Sequence, residues 1–402
     1  MQNPMTITTE RMIVPMDYWK TSGEQLCAMA DQIFGWAELG LKEFKSSVLL
    51  EDCLEREGFA VERGVGGLET AFRAVWSKGQ GGPSFGLLCE YDALERLGHA
   101  CGHHMQGPSI IGAALAIRDL AESAAPGAPF KIIVYGTPAE ETLGGKTPMM
   151  ENGCFGDIDV ALMMHGAPNT CVDVKSMASR EFKIRFRGKN AHAALAPDQG
   201  RSAFDAALLS FSALEFLREH VREDTRIHYT VVDAGGPANV VPDHATAQYM
   251  IRSYDTDYLE TLMPRVEDIW KGACLMTGTS YEIESQSRFW GKIPALALND
   301  LIMEQARAFD APQLAAPREK TGSTDFGIVM YKVPGCCIRC AFVPEGTSSH
   351  SQGFLDAGLT ETAHSAVVFG AEILAAACLR ILEEPALLEK IKADFTARKE
   401  GK

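Results

Sequence analysis

Basic residues are in short supply in this chain: 38 Lys and Arg stand against 53 Asp and Glu, giving a net charge of −15 with histidine neutral. That deficit excludes nucleic acid and anionic membrane as expected partners, since either requires a basic surface to release counterions. It leaves room for a local anion site, for which Arg185, Arg187, Arg201 and Arg252 are available. No apolar run reads as long enough to span a bilayer, and Met1 to Lys20 lacks the charged-then-apolar order of a secretory leader. The eleven cysteines show no regular spacing, so they read as reduced, buried thiols and the expected compartment is the cytoplasm. No charge block, low-complexity tract or internal repeat suggests a disordered arm or a repeat array.

What remains is an ordinary globular composition, 46% hydrophobic and 23% charged, in 402 residues. Single cores stop growing at roughly 250–300 residues, so two domains are expected. Helical spacing of apolar residues runs over 16–36 and 46–57, with Gly58 or Gly64 closing the second segment. Short apolar runs follow at 71–76, 85–89, 131–135 and 160–164, separated by helical stretches such as 109–121. That alternation predicts an α/β sheet covered on both faces. Between about Lys175 and Trp290 the pattern changes: strands are expected at 181–188, 226–232, 245–254 and 280–289, and helices at 202–220 and 257–276. The order β-α-β-β-α-β is that of a ferredoxin-like unit, read as an inserted second domain. Beyond it a helix near 299–309, a strand at 336–342 and a long helix at 357–383 resume the first pattern.

The chemistry concentrates where predicted strands end. Glu90 and Asp92 follow the run 85–89, Glu140 and Glu141 follow 131–135, and His165 follows 160–164. Ligand sites of open α/β sheets lie beyond the carboxyl ends of the strands, so these groups are expected to converge. Cys101 and His103 are separated by one glycine, and a thiolate with an imidazole suits zinc or another borderline transition metal. Alone, that pair equally fits a buried thiol beside a satisfied histidine. Adjacent carboxylates such as Glu140 and Glu141 allow one to ligate an ion and the other to take a proton from water, although a lone pair also fits a solvated loop. His165 and His350 are each unspecific singly. Their co-occurrence around one sheet points to a metal-dependent hydrolase.

Glu90-Tyr91-Asp92-Ala93-Leu94, Gly98-His99-Ala100-Cys101-Gly102-His103 and Gly136-Thr137-Pro138-Ala139-Glu140-Glu141 with Gly144-Gly145-Lys146 resemble the M20 metallopeptidase and amidohydrolase family, subfamily D and its aminobenzoyl-glutamate hydrolase type in particular. The likeness continues through His165, the run Lys189 to Ala194, the run Pro237 to Asp243, the run Ser323 to Gly327, and Ser349-His350, in order along nearly the whole chain.

The resemblance implies a mixed-sheet α/β catalytic domain formed by residues 1–176 and 291–402, with an α+β ferredoxin-like lid and dimerisation domain at 177–290. It implies one or two divalent ions, Mn2+ or Zn2+, held by Cys101, His103, Glu141, His165 and His350, with Cys101 bridging. Glu140 is then the general base, and Asp92 orients a ligand histidine. His192 matches a histidine that stabilises the oxyanion in a neighbouring protomer's site. Asn239 and Arg252 match residues that hold the substrate, Arg252 by a carboxylate fork. The implied partners are a small-molecule carboxylate substrate and a second copy of the chain, joined through the lid. The implied reaction is hydrolysis of an amide C–N bond in a small N-acyl or N-aroyl amino acid or dipeptide. Hydrolytic deamination of an aromatic amino-carboxylate at the same site is an alternative, and a non-catalytic ligand-binding protein is a third. Departures bear on substrate and metal occupancy: Glu90 stands where most of the family has His, Ile328 follows Gly327 with Met330-Tyr331 beyond, His104-Met105-Gln106 follows His103, and Gly166-Ala167-Pro168 follows His165. They point toward a more apolar or aromatic pocket.

Overall fold

The computed structural model describes residues 14–15 and 18–401. Helices α1 (Trp19–Trp36) and α2 (Phe44–Arg56) precede strands β1 (Ala60–Arg63), β2 (Phe72–Lys78) and β3 (Ser84–Cys89). Helix α3 (Gln106–Ala124) leads to β4 (Phe130–Gly136), the short α4 (Lys146–Glu151), β5 (Val160–Ala167) and β6 (Cys171–Ser176). Next come β7 (Ala178–Arg187), α5 (Ala203–Arg218), β8 (Arg226–Asp233), β9 (His244–Ser253), α6 (Thr256–Thr277) and β10 (Ser280–Phe289). The chain closes with α7 (Leu296–Ala308), β11 (Arg318–Thr321), α8 (Phe326–Met330), β12 (Gly335–Ala341), α9 (Gln352–Asp356), α10 (Glu361–Glu383) and α11 (Ala386–Lys399).

Two compact units divide these elements. The first takes the described residues through Lys175, Ile293–Thr321 and those from Ile328 onward; the second takes Ser176–Lys292 and Gly322–Gly327. The short segment joins the second unit by close backbone approach: a Cβ on Gly327 would stand 1.9 Å from the carbonyl oxygen of Trp290.

The first unit is an eight-stranded sheet in the order β1-β2-β4-β3-β5-β12-β6-β11. Its centre is parallel, β4 with β3, β3 with β5 and β5 with β12, while β1, β2 and β6 pair antiparallel. The parallel strands are near-continuous apolar runs because both faces are covered. Phe85, Leu87, Ile132, Val134, Val160 and Leu162 are all shielded from solvent. The second unit is a four-stranded sheet, β10-β7-β9-β8, antiparallel throughout. With α5 and α6 it has the expected β-α-β-β-α-β order, and its own core includes Phe186, Leu214, Tyr249 and Trp270.

Several expectations need correction. The helix over 16–36 begins at Trp19, and Met16 lies outside the described residues, as does most of the stretch bearing on a leader. The helix expected over 357–383 starts four residues late, at Glu361 behind the capping hydroxyl of Thr360, and ends at Glu383 as expected. Among the described residues one helix, α10, is long and apolar enough to cross a membrane, with a mean hydropathy of 1.9. Its apolarity serves the core instead: Val367, Ala371, Leu374 and Cys378 are enclosed and the helix packs on α3. The eleven cysteines are all thiols.

Candidate metal centre

Every ligand candidate lies in the first unit. Strand β3 ends at Cys89 and delivers Glu90 and Asp92, both 1% exposed, into the covered interior. The next loop carries Cys101 and His103 on either side of Gly102, whose φ of +82° is the left-handed conformation that glycine adopts without strain. That turn lets the two side chains reach one region. His165 does not follow its strand, as expected, but sits within β5, which continues to Ala167 because β12 pairs with it throughout, Arg339 opposite His165.

Glu140 and Glu141 emerge from a folded-back loop. Ala139 has a φ of +61°, and its amide donates to Oε1 of buried Glu43 at 2.8 Å. The loop then runs so close to its own start that a Cβ on Gly145 would lie 2.0 Å from the carbonyl oxygen of Pro138. His350 also has left-handed backbone, φ +59°, and its amide donates to the carbonyl of Ala100 at 2.9 Å, which pins its loop to that of Cys101. Such strain in non-glycine residues costs about 1–3 kcal/mol and concentrates at functional sites.

Ligand-type atoms gather in two triads, Cys101–His103–His165 and Cys101–Glu141–His350, each with its atoms within 4.8 Å of one another. Cys101 belongs to both. A further group joins Glu140 to His103 and Glu141. Sγ of Cys101 is 3.7 Å from Nε2 of His165, and Nε2 of His350 is 3.1 Å from Oε1 of Glu141. Asp92 serves two of these residues: Oδ1 is 3.0 Å from Nδ1 of His103, and Oδ2 accepts from the amide of Glu141 at 2.9 Å. Within this cluster two buried atoms, Nε2 of His103 and Oε1 of Glu141, make no well-aligned hydrogen bond, although Oε2 of Glu90 lies 3.3 Å from the first and Nε2 of His350 3.1 Å from the second. Buried polar atoms left so are costly, and these are the atoms that a cation would use. Sulfur, imidazole and carboxylate donors around them fit a borderline divalent ion.

The charges agree. Burial pushes the Cys101 thiol up, but His103 and His165 outweigh it and bring it down to about 5. His350 is raised to about 10 by hydrogen bonding to Cys101 and Glu141. Glu141 is lowered, because His350 and His103 overcome its burial.

Beside the triads lies a group that sequence reasoning left without a role. Lys146, fully buried at the start of α4, is 2.6 Å from Oε1 of Glu90, and Nε2 of Gln106 donates to Oε2 of Glu90 at 2.7 Å. Burial would raise the Glu90 carboxyl, but Lys146, then His103 and His165, hold it at about 2. The available signal was a lysine directly after Gly144-Gly145, downstream of two carboxylates.

The remaining candidates belong to the second unit. His192 is exposed, and its Nδ1 accepts from the amides of Ala194 and Leu195, each at 3.3 Å. In the neutral imidazole that places the ring proton on Nε2. The carbonyl of Asn239 accepts from the amide of Ala193 at 3.0 Å, so His192 and Asn239 share one loop pair. Arg252 lies on β9 opposite Ser179 and Arg226, and its Nε is buried without a hydrogen-bond partner.

Known proteins resemble this chain over most of its length. A family model described as a peptidase dimerisation domain matches residues 175–275. An Xaa-Arg dipeptidase of Mus musculus is 32% identical over 389 residues, 94% of this chain and 90% of the relative. A p-aminobenzoyl-glutamate hydrolase chain of Escherichia coli K12 is 30% identical over 446 residues, 91% of each. Among solved structures, a dinuclear metal-binding peptidase of Bacillus subtilis from the M20 family superposes with a TM-score of 0.68 at 19% identity, covering 90% of this chain and 99% of that one.

Proposed function

This chain belongs to the M20 family and is a metallo-hydrolase acting on C–N bonds; we propose that its substrate is a small N-acyl or N-aroyl amino acid or a dipeptide, opened at the amide. The observation that carries this reading is the pair of buried ligand atoms without a well-aligned hydrogen bond, Nε2 of His103 and Oε1 of Glu141, within triads that share Cys101. We assign Cys101, His103, Glu141, His165 and His350 to hold one or two divalent ions, Zn2+ or Mn2+. Bound there, such an ion polarises the scissile carbonyl and brings the pKa of water toward neutrality.

The chain's own residues supply the rest. Glu140, whose carboxylate groups with His103 and Glu141, takes the proton of the attacking water and returns it to the leaving nitrogen. Asp92 keeps the proton of His103 on Nδ1, so that Nε2 presents a lone pair. The segment matching a dimerisation domain supports a homodimer, across which Nε2 of His192 donates to the developing oxyanion. Asn239 and Arg252 are assigned to hold the substrate, Arg252 by its carboxylate.

The relatives' names divide between dipeptides and aminobenzoyl-glutamate, and both classes belong in the test. Purified protein loaded with Zn2+ or Mn2+ is offered aminobenzoyl-glutamate, acyl amino acids, dipeptides with a C-terminal Arg, and an aromatic amino-carboxylate. Release of a free amino acid from one of the first three is expected. Ammonia from the last, with the others intact, would overturn the amide assignment, and failure to bind any divalent ion would point to a non-catalytic protein.

A further inference from the structure

Two cations of the second unit stand face to face. Arg226 on β8 is the cross-strand partner of Arg252 on β9. The next pair along, Ile227 and Ile251, is buried in that unit's core with Ala247 and Tyr249. Successive side chains of a strand point to opposite faces, so both arginines lie on the face away from this core. Directly opposed residues have Cβ atoms about 4.5–5.5 Å apart, and like charges so placed destabilise a sheet.

Elsewhere in the same sheet basic side chains are matched by acids. Lys183 and Arg185 pair with Glu284, Arg187 with Glu282, and Arg180 and Arg288 with Glu260. Among the described residues Arg226 and Arg252 have no carboxylate partner. Arg226 gives Nη1 to the carbonyls of Glu223 and Thr225, at 2.8 and 2.9 Å, and Nε of Arg252 is buried without a hydrogen-bond partner. Nearby carboxylates are engaged otherwise: Glu181 accepts from Nε2 of Gln248, and Asp224 accepts from Oγ of Ser253 and the amide of Tyr254 at 3.0 and 2.8 Å.

We propose that Arg226 and Arg252 together bind a dicarboxylate, so that the amino acid on the leaving side of the amide is acidic, glutamate or aspartate. The proposal rests on the reading above, in which Arg252 holds the substrate by its carboxylate, and deepens it. Arg252 takes the α-carboxylate, and Arg226 takes that of the side chain. Charge-assisted bonds from two guanidinium forks then relieve the repulsion between them. A dipeptide ending in Arg would bring a third guanidinium to the pair. Of the two substrate classes named for the relatives, the geometry favours the glutamate amide.

The test compares one acyl group on three amino acids. Zinc-loaded protein is given aminobenzoyl-glutamate, aminobenzoyl-glutamine and aminobenzoyl-arginine, and free glutamate and glutamine are titrated by calorimetry. kcat/KM is expected to fall in that order, the first exceeding the second by about 10–100-fold, the worth of a hydrogen-bonded charge. Arg226→Gln, a change at an exposed side chain, should close most of that gap, and Arg226→Lys should keep part of it. Equal or better cleavage of the glutamine or arginine compound, or a gap unaltered in folded Arg226→Gln, overturns the inference and leaves the hydrolase reading intact. Turnover of none of the three overturns the amide reading instead. Calorimetry then decides the site: glutamate bound more tightly than glutamine by the wild type but not by Arg226→Gln upholds it, and equal binding removes it as well.

Discussion

Oδ1 of Asp92 lies 3.0 Å from Nδ1 of His103, and both side chains are enclosed. A carboxylate oxygen accepts, so the ring proton is held on Nδ1 and Nε2 is left to bind an ion. Asp92→Asn offers an amide that need not enforce that tautomer. Metal affinity is expected to fall on the order of 10–100-fold, read by zinc calorimetry.

Glu140 is expected to separate binding from turnover. Glu140→Gln keeps the shape of the loop and removes the base, so zinc content should match the wild type while kcat falls by about 10²–10⁴-fold. Undiminished turnover of a cleaved amide would remove Glu140 from the mechanism.

Glu43 governs the start of that loop. Its carboxylate accepts from the amide of Ala139 at 2.8 Å and from the hydroxyl of Thr70 at 2.9 Å, all in a covered region. Glu43→Ala orphans both donors, at a cost of about 1–3 kcal/mol each. The thermal midpoint should drop, and kcat should fall with it because Glu140 follows Ala139 directly. Glu43→Gln, which keeps an acceptor, should recover most of both.

Glu372 gives a pH signature of its own. It is buried on α10, and burial raises its carboxyl to about 7 from an ordinary 4.5. The folded state therefore binds the proton more tightly than the unfolded one, and stability falls as pH rises between those two values. Glu372→Gln escapes that loss. Its unfolding free energy, read by denaturant titration, should exceed that of the wild type above pH about 7 by on the order of 1–3 kcal/mol, and the gap should close toward pH about 4.5.

The sequence pattern made the parallel strands and the inserted unit readable, because buried runs such as 160–164 and alternating ones such as 245–254 differ in period. Edge strands β1 and β11, four residues each, carry too few positions to show any period. His165 was read as the residue after a strand because local sequence carries no record of β12, whose pairing extends β5 to Ala167. The motif residues Cys101, His103 and Glu141 stood out by type, but the Glu90–Lys146 pair joins positions 56 apart in sequence. Lysine after two glycines ordinarily reads as a solvated turn; only tertiary enclosure turns it into the counter-charge of a buried carboxylate.

Both triads depend on one sulfur. Peroxide that drives Cys101 to the sulfinic state would strip a donor from each at the same moment. Inactivation should then follow single-hit kinetics, with resident metal slowing the damage by occupying the thiolate. An arrangement economical in side chains is for the same reason exposed to a single oxidative event.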